Sequence, residues 1–367
     1  MTLTSFRLPI AWLTVAAVMF APAIKPMDMS PVIAFGLFIW LLGVIFWAAF
    51  GVVHEAEELA EALGEPLGTL VLTLSIVIIE VALISAVMLS AKDVPTLGRD
   101  TMYAVLMIVL NGVVGLGLLV GGLRHGQQSF NLQGANAYLA LTIPLAMIAL
   151  VLPNFTTSTG AGTLSPVQSA LFSILTITLY GLFLWLQTGR HKSFFMAAGA
   201  ANDTPGATPL PHDNPNSAPV SRHVILLLAN ILPIVILSKS LAKLLDAGIG
   251  QLGAPTALSG IIIAMIVFTP EGISALRAVA ANELTRAINL CLGAATSTLG
   301  LTVPAVLLIG LLTDQPVVLG LSAANMVLLA ITLVLNTLTF SGTRTTTLEG
   351  AVHLTLFAVF LILVFSP

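Results

Sequence analysis

Apolar runs separated by short polar stretches recur along this chain of 367 residues. About 20 apolar residues in a helix cross the roughly 30 Å hydrocarbon layer of a bilayer. The pattern predicts eleven membrane-spanning helices, at 8–24, 32–53, 66–90, 102–123, 135–152, 166–187, 223–245, 254–281, 288–312, 317–338 and 348–365. Arg7, the first run and Ala21-Pro22-Ala23 imitate a secretory signal with a small-residue cleavage site. That run is longer than a signal core, so the expectation is a retained first span over 1–31. In the second, Trp40 and Trp47 share a face and are read as packing or lipid contact.

Two polar stretches break the rhythm. HEAEELAEALGEP, from His54 to Pro66, has no Lys or Arg to compensate its acids. As a short helix over 54–65 it places Glu55, Glu58, Ala62 and Glu65 on one stripe, with Glu57 and Glu61 beside it. Like charges at that spacing repel, which is explained if the helix attracts cations or meets a basic partner. Histidine changes charge near neutral pH, so His54 is a candidate for making the helix pH-responsive. The other stretch, 188–221, is rich in Pro, Asn, Gly and Ala and reads as a flexible linker. It divides 32–187 from 222–367.

Hydrophobic residues form 57% of the chain and charged ones 8%, too little polar surface for a soluble protein of this length. The expected fold is an all-α polytopic membrane protein. A net charge of −3 and the lack of a basic tract give no reason to expect nucleic acid. The single cysteine, Cys291, lies in an apolar run and is expected to be buried and inert. His54-Glu55 opens no HExxH, and no nucleophile and base pair is apparent, so an enzyme is not expected.

Against this background two acids stand out. Glu80 lies inside 66–90 and Glu271 inside 254–281, each alone in its span. A carboxylate at the membrane midplane must hold either a proton or a cation, so such residues mark ion or proton sites. Their spans are third and eighth and therefore cross in opposite directions, the arrangement of two inverted repeats of five helices. Pro270 has no N–H and would free a carbonyl near Ile266. Twelve residues separate Arg99 from Asn111 and Arg286 from Thr298, which sets Thr296, Ser297 and Thr298 opposite Asn111. An amide or hydroxyl there is either glue between helices or a neutral oxygen for an ion.

HEAEELAEALGEPLGTLVLTLSIVIIEVALI and VFTPEGISALRAVAANELTRAINLCLGAATSTLGLTVP resemble the cation/calcium exchanger superfamily, in its calcium/proton exchanger branch with the bacterial ChaA-type antiporters. The likeness extends over nearly the whole chain. It implies an acidic helix at 54–65 leading into a first alpha motif at 66–123, a second at 254–312, and a central cytoplasmic linker. It also implies that Glu80 and Glu271 take cation or proton in turn, helped by Asn111, Thr296, Ser297 and Thr298, and a place in the bacterial inner membrane. The Gly-Asn usual in that family before each acid is here Ile76-Val77 and Val267-Phe268, which removes neutral ligands. Calcium prefers six to eight oxygens, so sodium and potassium stay open as cargo.

The expectation is a secondary antiporter that exchanges calcium, sodium or potassium for protons, with no cofactor and with the lipid bilayer, inorganic cations and protons as partners. A passive cation channel is the alternative and would need a continuous polar pore. Arg7, Arg124, Arg190, Lys192, Arg222, Arg277, Arg286 and Arg344 fall on one side, against Lys25, Lys92, Arg99, Lys239 and Lys243. By the positive-inside rule the amino terminus is expected in the cytoplasm.

Overall fold

The computed structural model describes residues 6–20, 30–63, 67–90, 94–195 and 219–366. Ala21 to Ala23, Lys25, Glu65, Lys92 and most of the expected linker lie outside the described residues. Among those described, eleven long helices follow the hydrophobic pattern. They are α1 (Arg7–Phe20), α2 (Pro31–Leu63), α3 (Leu67–Ser90), α4 (Leu97–His125), α5 (Leu132–Asn154), α6 (Pro166–Thr188), α7 (Val220–Leu252), α8 (Ala257–Ala280), α9 (Leu284–Thr313), α10 (Ala323–Thr339) and α11 (Thr347–Phe365).

The inverted repeat is visible in the dimensions of the helices. Helices α2 and α7 each have 33 residues, α3 and α8 each 24, and α4 and α9 have 29 and 30. Each member of a pair lies five crossings after its counterpart and so runs in the opposite sense. The acid-bearing α3 and α8 pack on one another and on α4 and α9. Helices α4 and α9 are the most buried, whereas α2, α6 and α11 turn much of their surface outward. Exposed side chains such as Leu171, Leu175 and Trp185 on α6 suit contact with lipid tails. Close approach of α4 and α8 depends on Gly260, where a Cβ would come within 2.7 Å of the backbone of Asp100 and Thr101.

Two expectations change. The acidic residues do not make a separate helix, because α2 continues unbroken from Pro31 to Leu63. At 1.5 Å per residue it is about 50 Å long, and its last turns project beyond the hydrocarbon. The apolar residues 317–322 are not helical. Val318 N–H donates to Pro95 O, those of Leu319 and Gly320 to Gly162 O, and that of Leu321 to Leu150 O. This segment closes the end of the bundle opposite the linker, with Leu319 and Leu321 buried. Pro270 lies inside α8, where it has no N–H to give Ile266, and wider irregularities of the backbone lie elsewhere. Wide π turns occupy Ile108–Val113 in α4, Met147–Val151 in α5 and Thr298–Thr302 in α9. Pro153 and Pro304 follow the last two and lack the N–H that an α turn would give to Ala149 and Gly300.

Candidate cation site

Glu80 on α3 and Glu271 on α8 are buried, 2% and 7% exposed, and stand near enough for each to feel the other's charge. The surroundings of Glu80 are built by the π turn of α9. Thr298 Oγ1 donates to Glu80 Oε2 at 3.0 Å. Thr302, one wide turn further, adjoins the same carboxylate, yet its hydroxyl meets no partner at hydrogen-bond distance. Glu80 Oε1 and Glu271 Oε2 are likewise buried without a donor. Unsatisfied carboxylate oxygens are costly in an apolar interior, which makes this pair a candidate for holding a cation or a proton.

A cavity of about 240 Å³ runs from the end of the bundle that carries residues 189–195 to Glu271 and Ser297, between α5, α6 and α9. Its wall includes Tyr180, which sits beside Ser297 and Glu271. Gly300 makes this possible, since a Cβ there would lie 2.6 Å from the Tyr180 ring.

The helper residues behave differently from one another. Thr298 reaches Glu80 and Ser297 reaches the cavity, although the Ser297 hydroxyl donates to Ala294 O at 3.0 Å. Thr296 does neither; its hydroxyl bonds Leu292 O at 2.6 Å and Thr142 Oγ1 at 2.7 Å. Asn111 is committed elsewhere too. Its amide donates to Thr332 Oγ1 at 2.8 Å, and its Oδ1 pairs with His353 Nδ1 at 3.2 Å, in a fully buried network that continues to Thr339. Among the described residues no cluster of three or more His, Cys, Asp or Glu forms. Thr302 and Tyr180 were missed by sequence reasoning, although Pro304 was a legible sign of a backbone irregularity beside Thr302.

The acidic end of α2 is also two-sided. Glu55 points inward with Val52, Ala56 and Leu59, and its Oε2 pairs with His223 Nδ1 of α7 at 2.8 Å, with Arg7 in electrostatic reach. Glu55 and Glu58 therefore do not share a face. His54, Glu58 and Glu61 are exposed and Glu57 is half-buried.

Residues 33–189 and 222–366 match the family model described as sodium/calcium exchanger protein. The chain is 39% identical over 326 residues, 89% of its own length and 87% of the relative, to the sodium-potassium/proton antiporter ChaA of Escherichia coli. It is 24% identical over 337 residues to a Ca(2+)/H(+) antiporter of Aphanothece halophytica, covering 87% of this chain and 86% of that one. Among solved structures, native YfkE aligns with a TM-score of 0.73 at 18% identity, over 99% of this chain and 98% of that chain.

Proposed function

Because this chain belongs to the sodium/calcium exchanger protein family, we propose that it is an inner-membrane antiporter of bacterial type that passes calcium, and sodium or potassium, against protons through the Glu80 and Glu271 pair. The observation that carries this reading is the pair of buried carboxylates with unsatisfied oxygens, one of which, Glu271, lines a cavity. Net charge in the hydrocarbon is costly, so the two carboxylates favour occupants whose charges sum to +2. One divalent cation, two protons, or one monovalent cation with one proton satisfy that condition. Calcium would then exchange for two protons, and sodium or potassium for one. Because occupants compete for the same oxygens, one enters only as another leaves, and this couples the fluxes.

The monovalent cargo has an observation of its own. Ile76, Val77, Val267 and Phe268, one turn before the acids, are buried and apolar and offer no side-chain oxygen. A site with few neutral ligands discriminates less strongly in favour of calcium. In this reading residues 189–195 and the acidic end of α2 face the cytoplasm with the amino terminus. Exposed His54, Glu58 and Glu61, with Glu57, recruit cations there, while the 317–322 segment closes the far side. Alternating access follows when the closed and open ends exchange.

The test is a cation panel on everted vesicles carrying an acid-loaded lumen and a pH-sensitive dye. Calcium, sodium or potassium added outside is expected to release protons in wild-type vesicles. Proton release by none of the three sinks the proposal.

A further inference from the structure

The chain after α6 does not leave the protein at once. Lys192–Phe195 turns back as a short 3-10 helix against the bundle. Two amides from different repeats hold it. Asn131 Nδ2, at the start of α5, donates to Ser193 O at 3.1 Å, and Asn289 Nδ2, in the second turn of α9, donates to Phe195 O at 2.7 Å. The Phe195 ring stands edge-on to Tyr138 at 5.2 Å and to Phe183 at 5.8 Å, and these two rings are themselves 5.2 Å apart. Phe194 stacks on His191 at 4.8 Å, outside this group.

Phe195 lines the same cavity as Glu271, at the opposite end of it. An ion travelling between Glu271 and the linker-side solution has to pass this ring or the polar groups next to it, Gln187, Asn289 and Arg286. Arg286 is mostly exposed and faces Glu283 at 3.4 Å. The ring, packed against Tyr138 and Phe183, fills space that a hydrated ion would need, so it is a steric barrier while docked. Its anchors are weak by design of the site. Both are amide to backbone bonds near the surface, which water replaces when the turn lifts. Because Asn131 and Asn289 sit on opposite repeats, relative motion of the repeats alters the spacing of the anchors.

We propose that Phe195, carried by the 192–195 turn, is the linker-side gate of the ion path, closed when its ring is seated between Tyr138 and Phe183 and open when the two amide anchors release it. The proposal deepens the antiport reading and rests on Glu271 as the ion site, but it is tested by access to the cavity rather than by transport. Gly293 lines the cavity and has room for a side chain, its Cβ position being 3.6 Å from the Tyr138 hydroxyl. Cys291 is the only native cysteine. In a Cys291→Ala, Gly293→Cys background in detergent, the rate of alkylation by a hydrophilic thiol reagent therefore reports passage of the gate.

Phe195→Ala is expected to raise that rate about tenfold, as a closed state that excludes the reagent loses population. Asn289→Ala, which removes one anchor, and Asn131→Ala, which removes the other together with the N-cap of α5, are expected to raise it about two- to fivefold, and Phe195→Leu to leave it near the parent value. Thermal unfolding of the same proteins controls for loosening. An unchanged rate in Phe195→Ala overturns the gate, as does a rise in that variant alone accompanied by loss of the cooperative unfolding transition. Either result leaves the role of Glu271 untouched, since that role is judged by exchange in vesicles.

Discussion

Glu80 has one oxygen satisfied by Thr298 and one that is not, while Glu271 has a buried oxygen without a donor. Substitution by Gln keeps volume and hydrogen bonding but removes the ability to alternate between a charged and a protonated form. Glu271→Gln and Glu80→Gln are each expected to abolish cation-driven proton release at normal expression, and wild-type turnover in either would remove that residue from the site. Thr298→Val takes away a hydroxyl worth about 0.5–1.5 kcal/mol to its partner. The expected result is roughly a three- to tenfold weaker apparent cation affinity in vesicle assays. The same change at Thr296, which faces Thr142 and its own helix, is expected to leave affinity unaltered.

At the scale of the helix, α2 joins two tasks in one unbroken element. Its inner face carries Glu55 to His223 and fastens α2 to α7 where the chain re-enters the bundle. Removing His223 alone leaves a largely buried carboxylate short of its donor, a situation that costs about 1–3 kcal/mol. His223→Ala is therefore expected to lower the thermal midpoint of the protein, and Glu55→Ala combined with it to recover part of the loss. No recovery in the double variant would mean that the pairing contributes nothing beyond the imidazole's packing. The outer face, with Glu58 and Glu61, is free to act on ions in solution.

For the whole molecule, the cavity beside Glu271 runs toward the end that carries residues 189–195, where Phe195 is seated between Tyr138 and Phe183. In the function proposed above, the acids at the end of α2 raise the cation concentration that the cavity samples. Replacing Glu57, Glu58 and Glu61 together by Gln is expected to weaken apparent cation affinity while sparing maximal rate. The deficit should fade as salt rises, because the Debye length is about 8 Å near 0.15 M. A deficit that persists at high salt would place these residues in direct contact with the transported ion instead.

Several of these features were legible without coordinates. Apolar runs of spanning length fix the number of helices, since lipid leaves a backbone no other partner for its hydrogen bonds. The odd spacing between the Glu80 and Glu271 spans fixes their opposed directions, and the rarity of lone acids in such runs marks both residues. Direction within a helix is less legible: Asn111 and Thr298 occupy matching places, yet one bonds His353 and the other Glu80, because a side chain's partner is set by the helices packed around it. Glu55 and Glu58 are separated in the same way, by what α7 offers to one and solvent to the other. The π turn that brings Thr302 beside Glu80, the hydrogen-bonded course of 317–322 and the seat of Phe195 were decided only by tertiary structure. Each depends on contacts between residues far apart in the chain, and hydrophobic periodicity carries no record of which distant surface a helix meets.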